Sequence, residues 1–257
     1  MNTDISAILR DWPYQPGQIS ARKITGDDGS EQIQLRLDLG LLQMAATGPP
    51  AGVRPHGYES LLDYYEYLLA RYCQEGRERD GFTLDEQDCE LLRNEGVMYY
   101  HRYLAEFVLE DYEAVIRDTM RNLRLMDFCQ AHAAQDSDRS SLEQYRPYVL
   151  MMRTRALGLL AVKDGRPEDA LAAIQKGIED MKESCIQLDQ GRLLEDGGEL
   201  SVLRDLADEI EKSIPVDPIE SVRLRLERAV TEERYEDAAG LRDKLRSMTG
   251  DSSAGRA

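Results

Sequence analysis

The chain has 257 residues, enough for one large or two modest domains with proper cores. Its formal net charge of −17 opposes docking on nucleic-acid phosphates and on anionic lipid, so neither direct nucleic-acid binding nor membrane binding is expected. No stretch approaches the length and apolarity of a membrane span, and the start, Met1-Asn2-Thr3-Asp4, lacks the basic and apolar regions of a signal peptide. The expected compartment is therefore the cytoplasm, where Cys73, Cys89, Cys129 and Cys185 would be reduced thiols.

Residues 1–56 read as an N-terminal segment built on a β-hairpin. Ile5, Ile8 and Leu9 make one or two helical turns that end before Trp12-Pro13. Residues 18–25 form a weak strand, and Gly26-Asp27-Asp28-Gly29 is a strong turn signal. Beyond it Ile33, Leu35, Leu37 and Leu39 alternate with Gln34, Arg36, Asp38 and Gly40, which predicts a strand with one buried face. Leu41, Leu42 and Met44 continue the apolar run past Gly40, where a bend or bulge is expected. A two-stranded hairpin is marginal alone, so it must lie on helices or pair with another copy. Residues 48–57, rich in proline and glycine, form a loop. Arg54 and His56 within it suit an anion-binding corner or a rigid linker. The absence of a glycine-rich phosphate loop favours the linker.

From Tyr58 the pattern is helical, and residues 57–214 read as one helical body. Residues 58–74 carry Leu61, Leu62, Tyr65, Leu68, Leu69 and Tyr72 at helical spacing. Tyr64 and Tyr67 widen that stripe, which reads as packing surface. Thr83 to Glu86 has a capping-box pattern and opens a helix to about Leu109. Another helix covers 112–132. Residues 142–163 form one helix disturbed at Pro147, and 168–188 form its partner across Asp164-Gly165-Arg166-Pro167. Gly158, Ala170 and Ile174 sit as small and apolar residues do in a tetratricopeptide pair, although the proline that ends such a repeat is missing. The preceding pair, Leu91 to Phe128, has Tyr112 and Ala114 in similar places but otherwise fits the register poorly, and two repeats are fewer than a solenoid needs, so the body reads as tetratricopeptide-like and not as a proven array. After Gly197-Gly198, residues 200–214 form one more helix with Leu203, Leu206 and Ile210 on its face.

Sequence signatures of chemistry are missing. There is no Walker A sequence, dinucleotide fingerprint, nucleophile elbow or zincin helix. Cys129 and His132 stand i and i+3 with Asp127 near, but no paired Cys-x-x-Cys accompanies them. His101, among Tyr99, Tyr100 and Tyr103, reads as a packed histidine. No catalytic residue, cofactor or metal is expected.

The most specific stretch is 217–248. Asp217 suits an N-cap, Pro218 the first helical position, and Glu220 completes a capping box. Ile219, Val222, Leu226, Ala229 and Val230 share one face, and Thr231-Glu232-Glu233-Arg234 breaks the pattern. Tyr235, Ala238, Leu241, Leu245 and Met248 line the inner side of a second helix, so two short antiparallel helices are expected. The wording from Glu233 to Leu245, with Tyr235-Glu236-Asp237-Ala238-Ala239 and Leu241-Arg242-Asp243, resembles the UVR motif, the hairpin through which UvrB and UvrC associate and which also occurs in Clp-type chaperones and their adaptors. The block 35–57 likewise looks like that of bacterial proteins ending in this motif. The resemblance implies binding to a protein partner, another UVR hairpin or a second copy of the chain, and implies no chemistry. Leu224 points away from the inner face between Arg223 and Arg225, and with Glu233, Tyr235, Arg242 and Asp243 these are the candidate contact residues. Tyr235 is expected to pack inside, and Arg242 to meet Glu227 or a partner's carboxylate. The hairpin carries eight acids and seven bases and the tail beyond it is neutral, so residues 1–216 hold −16. Residues 249–257 are small and polar, and disorder is expected there.

The expected fold is mainly α, with an N-terminal β-hairpin, a tetratricopeptide-like body and a UVR hairpin. The leading functional expectation is a non-enzymatic interaction or adaptor protein, linked by the resemblance to excision repair or Clp-type quality control. The alternative is an enzyme or ligand-binding protein with a site between the N-terminal hairpin and the body. The largest pocket discriminates them: convergent buried ionisable groups such as His56, His101 or Asp118 favour a ligand, and a groove of tyrosine and leucine favours a protein partner.

Overall fold

The computed structural model describes residues 4–187 and 198–214, positions 219, 222–223, 226 and 230, and residues 234–250. The expected cap at Asp217 and Glu220, the joint at Pro215, the contacts of Leu224, Arg225 and Glu233, and the tail from residue 251 lie outside the described residues. By its contacts the chain divides into two units at Ile210/Glu211.

The first unit opens with α1 (Ser6–Arg10) and a three-stranded antiparallel meander, β1 (Ser20–Thr25), β2 (Glu31–Arg36) and β3 (Leu41–Ala45), in the order β1-β2-β3. The expected two-stranded hairpin is thus one strand short. The alternation ends at Arg36, because Leu37 N–H donates to Gly40 O at 2.9 Å and closes a turn, leaving Leu39 90% exposed at its tip. Beyond it Leu41 and Met44 pair back on Arg36 and Ile33 as a new strand. Both faces of β2 are covered. Ile33 and Leu35 pack with Met44, Ala46 and Ala105. On the other face Arg36 donates to Trp12 O, Gln34 links Arg22 to Gln43, and the Arg22 guanidinium lies 4.3 Å from the Trp12 ring centroid. The residues ahead of β1 therefore shelter a polar layer that period two alone assigns to solvent.

The helical body comprises α2 (Leu61–Gln74), α3 (Glu86–Val108), α4 (Tyr112–His132), α5 (Asp136–Ser140), α6 (Arg146–Lys163), α7 (Pro167–Gln187) and α8 (Gly198–Ser213). Ser60 caps α2 by accepting from Asp63 N–H. The capping box of α3 is Asp85 with Asp88, two residues after the predicted one, since there both reciprocal bonds form. Pro147 does not disturb a helix: a 3-10 turn at Glu143–Tyr145 precedes it and α6 begins around it, where a missing N–H costs nothing. Between α3 and α4 the chain reverses at Glu110, whose φ of 57° is left-handed.

One core gathers Tyr103, Val115, Met152, Ala156, Ile174, Met181 and Leu203, and a second gathers Leu62, Leu84, Leu92, Leu125 and Cys129. The expected close crossing of α6 and α7 is present. A Cβ on Gly158 would stand 3.0 Å from two Ile174 carbons, and one on Gly177 would overlap the Thr154 side chain. At Gly177 the facing side chain occupies the space a methyl would need, and at Gly158 a methyl would fit only if Ile174 gave way slightly.

In the second unit positions 219, 222–223, 226 and 230 are helical, and α9 spans Tyr235–Gly250. The helix runs two residues past the predicted end at Met248. Val222 and Ala238 are buried and Ile219, Leu226, Leu241, Leu245 and Met248 are partly buried, as the inner-face pattern requires. Two expected inner residues are not inside: Val230 is exposed and Tyr235 is 68% exposed. Tyr235 is the first residue of α9, and the neighbouring Arg234 pairs with Asp237 along the outside of that turn.

Candidate functional site

Of the hairpin residues singled out by sequence, four lie among the described residues. Arg223, Tyr235, Arg242 and Asp243 are exposed, and Leu224, Arg225 and Glu233, like the expected partner Glu227, lie outside the described residues. What the described residues present is a helical pair with apolar interior positions and a polar exterior.

Two concavities mark the first unit. The larger, 770 Å³, runs between α3, α4 and the chain from Ser141 to Val149, with Glu199 of α8 at its edge. Its walls are mainly aromatic and aliphatic: Tyr100, Tyr103, Tyr145, Tyr148, Leu125 and Leu142. Tyr145 and Val97 are exposed at its opening. Burial raises the Tyr148 and Tyr103 hydroxyls above their ordinary range, so both stay neutral donors.

The smaller concavity, 620 Å³, lies between the N-terminal block and the body. Thr47, Gly48, Glu59, Ser60 and Asp63 form one side, and Tyr99, Arg102, Arg117, Asp118, Met120, Arg121 and Arg124 the other. Beneath it is a buried ion network that joins four elements. Arg102, 1% exposed, makes a two-point contact to Asp118 at 2.6 and 2.9 Å and donates from Nη1 to Ala45 O and Gly48 O, which ties α3 to the end of the sheet. Arg117 bridges Asp118 at 2.8 Å and Glu106 at 2.7 Å. Arg121 contacts Glu95, whose carboxylate also accepts from Leu61 N–H at 2.6 Å and so caps α2 from α3. Arg124 reaches Asp63 and Glu66 on α2. The Tyr99 ring has the Arg102 and Arg121 guanidiniums 4.9 and 4.2 Å from its centroid. Burial, then repulsion from Asp118, pushes Glu106 up to about 8, and its Oε2 has no hydrogen-bond partner among the described residues.

Of the residues weighed from sequence, Asp118 belongs to this network. His56 instead stacks on Tyr64 with ring centroids 4.1 Å apart, while Arg54 pairs with Glu59. His101 is partly buried, and desolvation lowers its pKa. Cys129 is buried, which pushes its thiol up to about 12, and His132 packs between Phe82 and Phe128. Among the described residues no three histidines, cysteines or carboxylates gather to hold a metal. The arginine set escaped sequence reading, although Arg117, Arg121 and Arg124 fall at i, i+4 and i+7 of one helix.

The described residues thus form a mainly α protein with a small N-terminal antiparallel sheet and, among its last described residues, further helical positions. The sequence model of the UvrB/uvrC motif family matches residues 217–248, so the chain carries a UVR motif at that stretch. Among curated proteins and among solved structures, none matches the chain. Among the described residues no helix is long and apolar enough to cross a membrane.

Proposed function

We propose that the protein is a non-enzymatic adaptor: a tetratricopeptide-like helical body takes one protein partner and the C-terminal UVR hairpin takes another. The observation that carries this reading is the UVR match at 217–248, since such a motif is a helical pair whose use is association. The tyrosine- and leucine-lined groove supports it, being the larger concavity and of the kind that receives apolar anchors of a protein partner. The partner of the hairpin is another UVR hairpin, on a second protein or a second copy, within excision repair or Clp-type quality control. Direct contact with DNA is opposed by the −16 held by residues 1–216. The test is a pull-down with the full chain, with residues 217–248 deleted, and with Leu224→Asp, each checked for helicity by circular dichroism. Loss of UVR-bearing partners in both variants supports the reading, and identical capture by all three overturns it. A second reading, ligand binding between the N-terminal block and the body, is favoured by the arginine-lined cavity.

A further inference from the structure

We infer that the cavity between Thr47 and α4 is a binding site for a small oxyanion, the phosphate or carboxylate group of a soluble ligand. The inference concerns a different surface from the UVR hairpin and does not depend on the adaptor reading.

Three arginines of α4 face this space, and each has donors to spare. Arg121 is 8% exposed, and its Nε is buried with no acceptor among the described residues. A buried guanidinium N–H without an acceptor is rare, because its desolvation is otherwise uncompensated. Burial accordingly lowers the pKa of Arg121 despite its contact with Glu95. Arg117 uses Nε and Nη2 for Asp118 and Glu106, and Arg124 uses Nε and Nη2 for Glu66 and Asp63. The Nη1 of each makes no hydrogen bond among the described residues, and both side chains are about half exposed at the mouth. Thr47, whose hydroxyl makes no hydrogen bond among the described residues, lines the opposite wall. Arg102, by contrast, is committed to Asp118 and two carbonyls, so it shapes the floor and is not a receptor.

The sign of the ligand follows from what is already taken. Of the three lining carboxylates, Asp118 is held by Arg102 and Arg117, Asp63 by Arg124 and Ser60, and Glu59 by Arg54. A cation entering here would meet guanidiniums whose carboxylates are engaged, whereas an oxyanion would meet unused donors on three guanidiniums. The guanidiniums are balanced by the carboxylates they hold, so the attraction for an oxyanion rests on their unused donors and not on net charge. A space of 620 Å³ matches a small molecule better than a macromolecular segment.

The full chain is titrated calorimetrically with inorganic phosphate and, separately, with citrate, with ionic strength held constant by sodium chloride. The comparison protein is Arg117→Gln/Arg124→Gln, with its helicity checked by circular dichroism because Arg117 also holds the buried Asp118 and Glu106. We expect saturable heat and a raised melting temperature with at least one oxyanion, and at least about a tenfold loss of affinity in the double variant. A response to phosphate alone assigns a phosphoryl ligand, and a response to citrate alone a carboxylate. Absence of saturable heat from both at about 10 mM, or unchanged binding by a double variant of normal helicity, overturns the assignment.

Discussion

Asp118→Asn tests the ion network that joins the sheet to the helical body. Asp118 and Arg102 are each 1% exposed, and Asp118 accepts three hydrogen bonds, two from Arg102 and one from Arg117. Asparagine keeps the shape but replaces one oxygen by an NH2, which then points donors at a guanidinium, and it leaves Arg102 without its carboxylate. Removing one partner of a buried pair costs about 3–5 kcal/mol. Part of that is offset here, because Glu106 Oε1 lies 3.7 Å from Arg102 Nε. Its ionisation is suppressed first by burial and next by Asp118, so removing the Asp118 charge lets Glu106 take the vacant role. The lower end, about 3 kcal/mol, is therefore expected, and for a domain of this size that is roughly 6–12 °C in Tm. The assay is urea and thermal unfolding of both proteins followed at 222 nm. Asp118→Asn/Glu106→Gln should be less stable than the two single losses summed, since the substitute carboxylate is gone too. A single-variant loss below about 1 kcal/mol, or strict additivity, would show that the network does not hold the fold as described.

Further outcomes follow from individual contacts. Glu106 has a pKa near 8 in the folded chain against an ordinary value near 4.5, so the stability it contributes is complete below the lower value and lost as pH rises through the higher; Tm measured from pH 5 to 9 should fall more in the wild type than in Glu106→Gln, and parallel curves would refute the raised pKa. Tyr235→Ala should change stability by less than about 0.5 kcal/mol because the ring is exposed, whereas Ala238→Asp should disrupt the hairpin's helicity by burying a charge; equal effects by circular dichroism would contradict the placement of α9. Gly177→Ala should cost about 1–3 kcal/mol in urea unfolding through overlap with Thr154, and Thr154→Ala should restore part of it; absence of rescue would mean that α6 and α7 do not meet there.

The sequence by itself determined the class and most of the elements. Helical periodicity in 61–74, 112–132 and 200–214 is a local property of which residues share a face, and it survives without knowledge of neighbours. The motif at 217–248 was legible for the same reason, since its apolar positions, Ala238, Leu241, Leu245 and Met248, repeat at helical spacing. Tertiary structure decided the rest. Gly40 looked like a bulge within one strand, and only the pairing of Leu42 with Leu35 makes it the end of a turn. Gln34 and Arg36 looked solvent-facing because alternation knows nothing of the residues around Trp12 that cover them. Tyr235 looked internal because periodicity continues through a helix end, whereas burial there requires something beyond the last turn to cover the ring. The arginine-lined cavity joins residues 47, 60, 102 and 121, and no spacing encodes their meeting. An arginine at i, i+4 and i+7 is ordinarily a solvated face, and becomes a candidate receptor only where a loop closes over it and leaves a buried N–H without an acceptor.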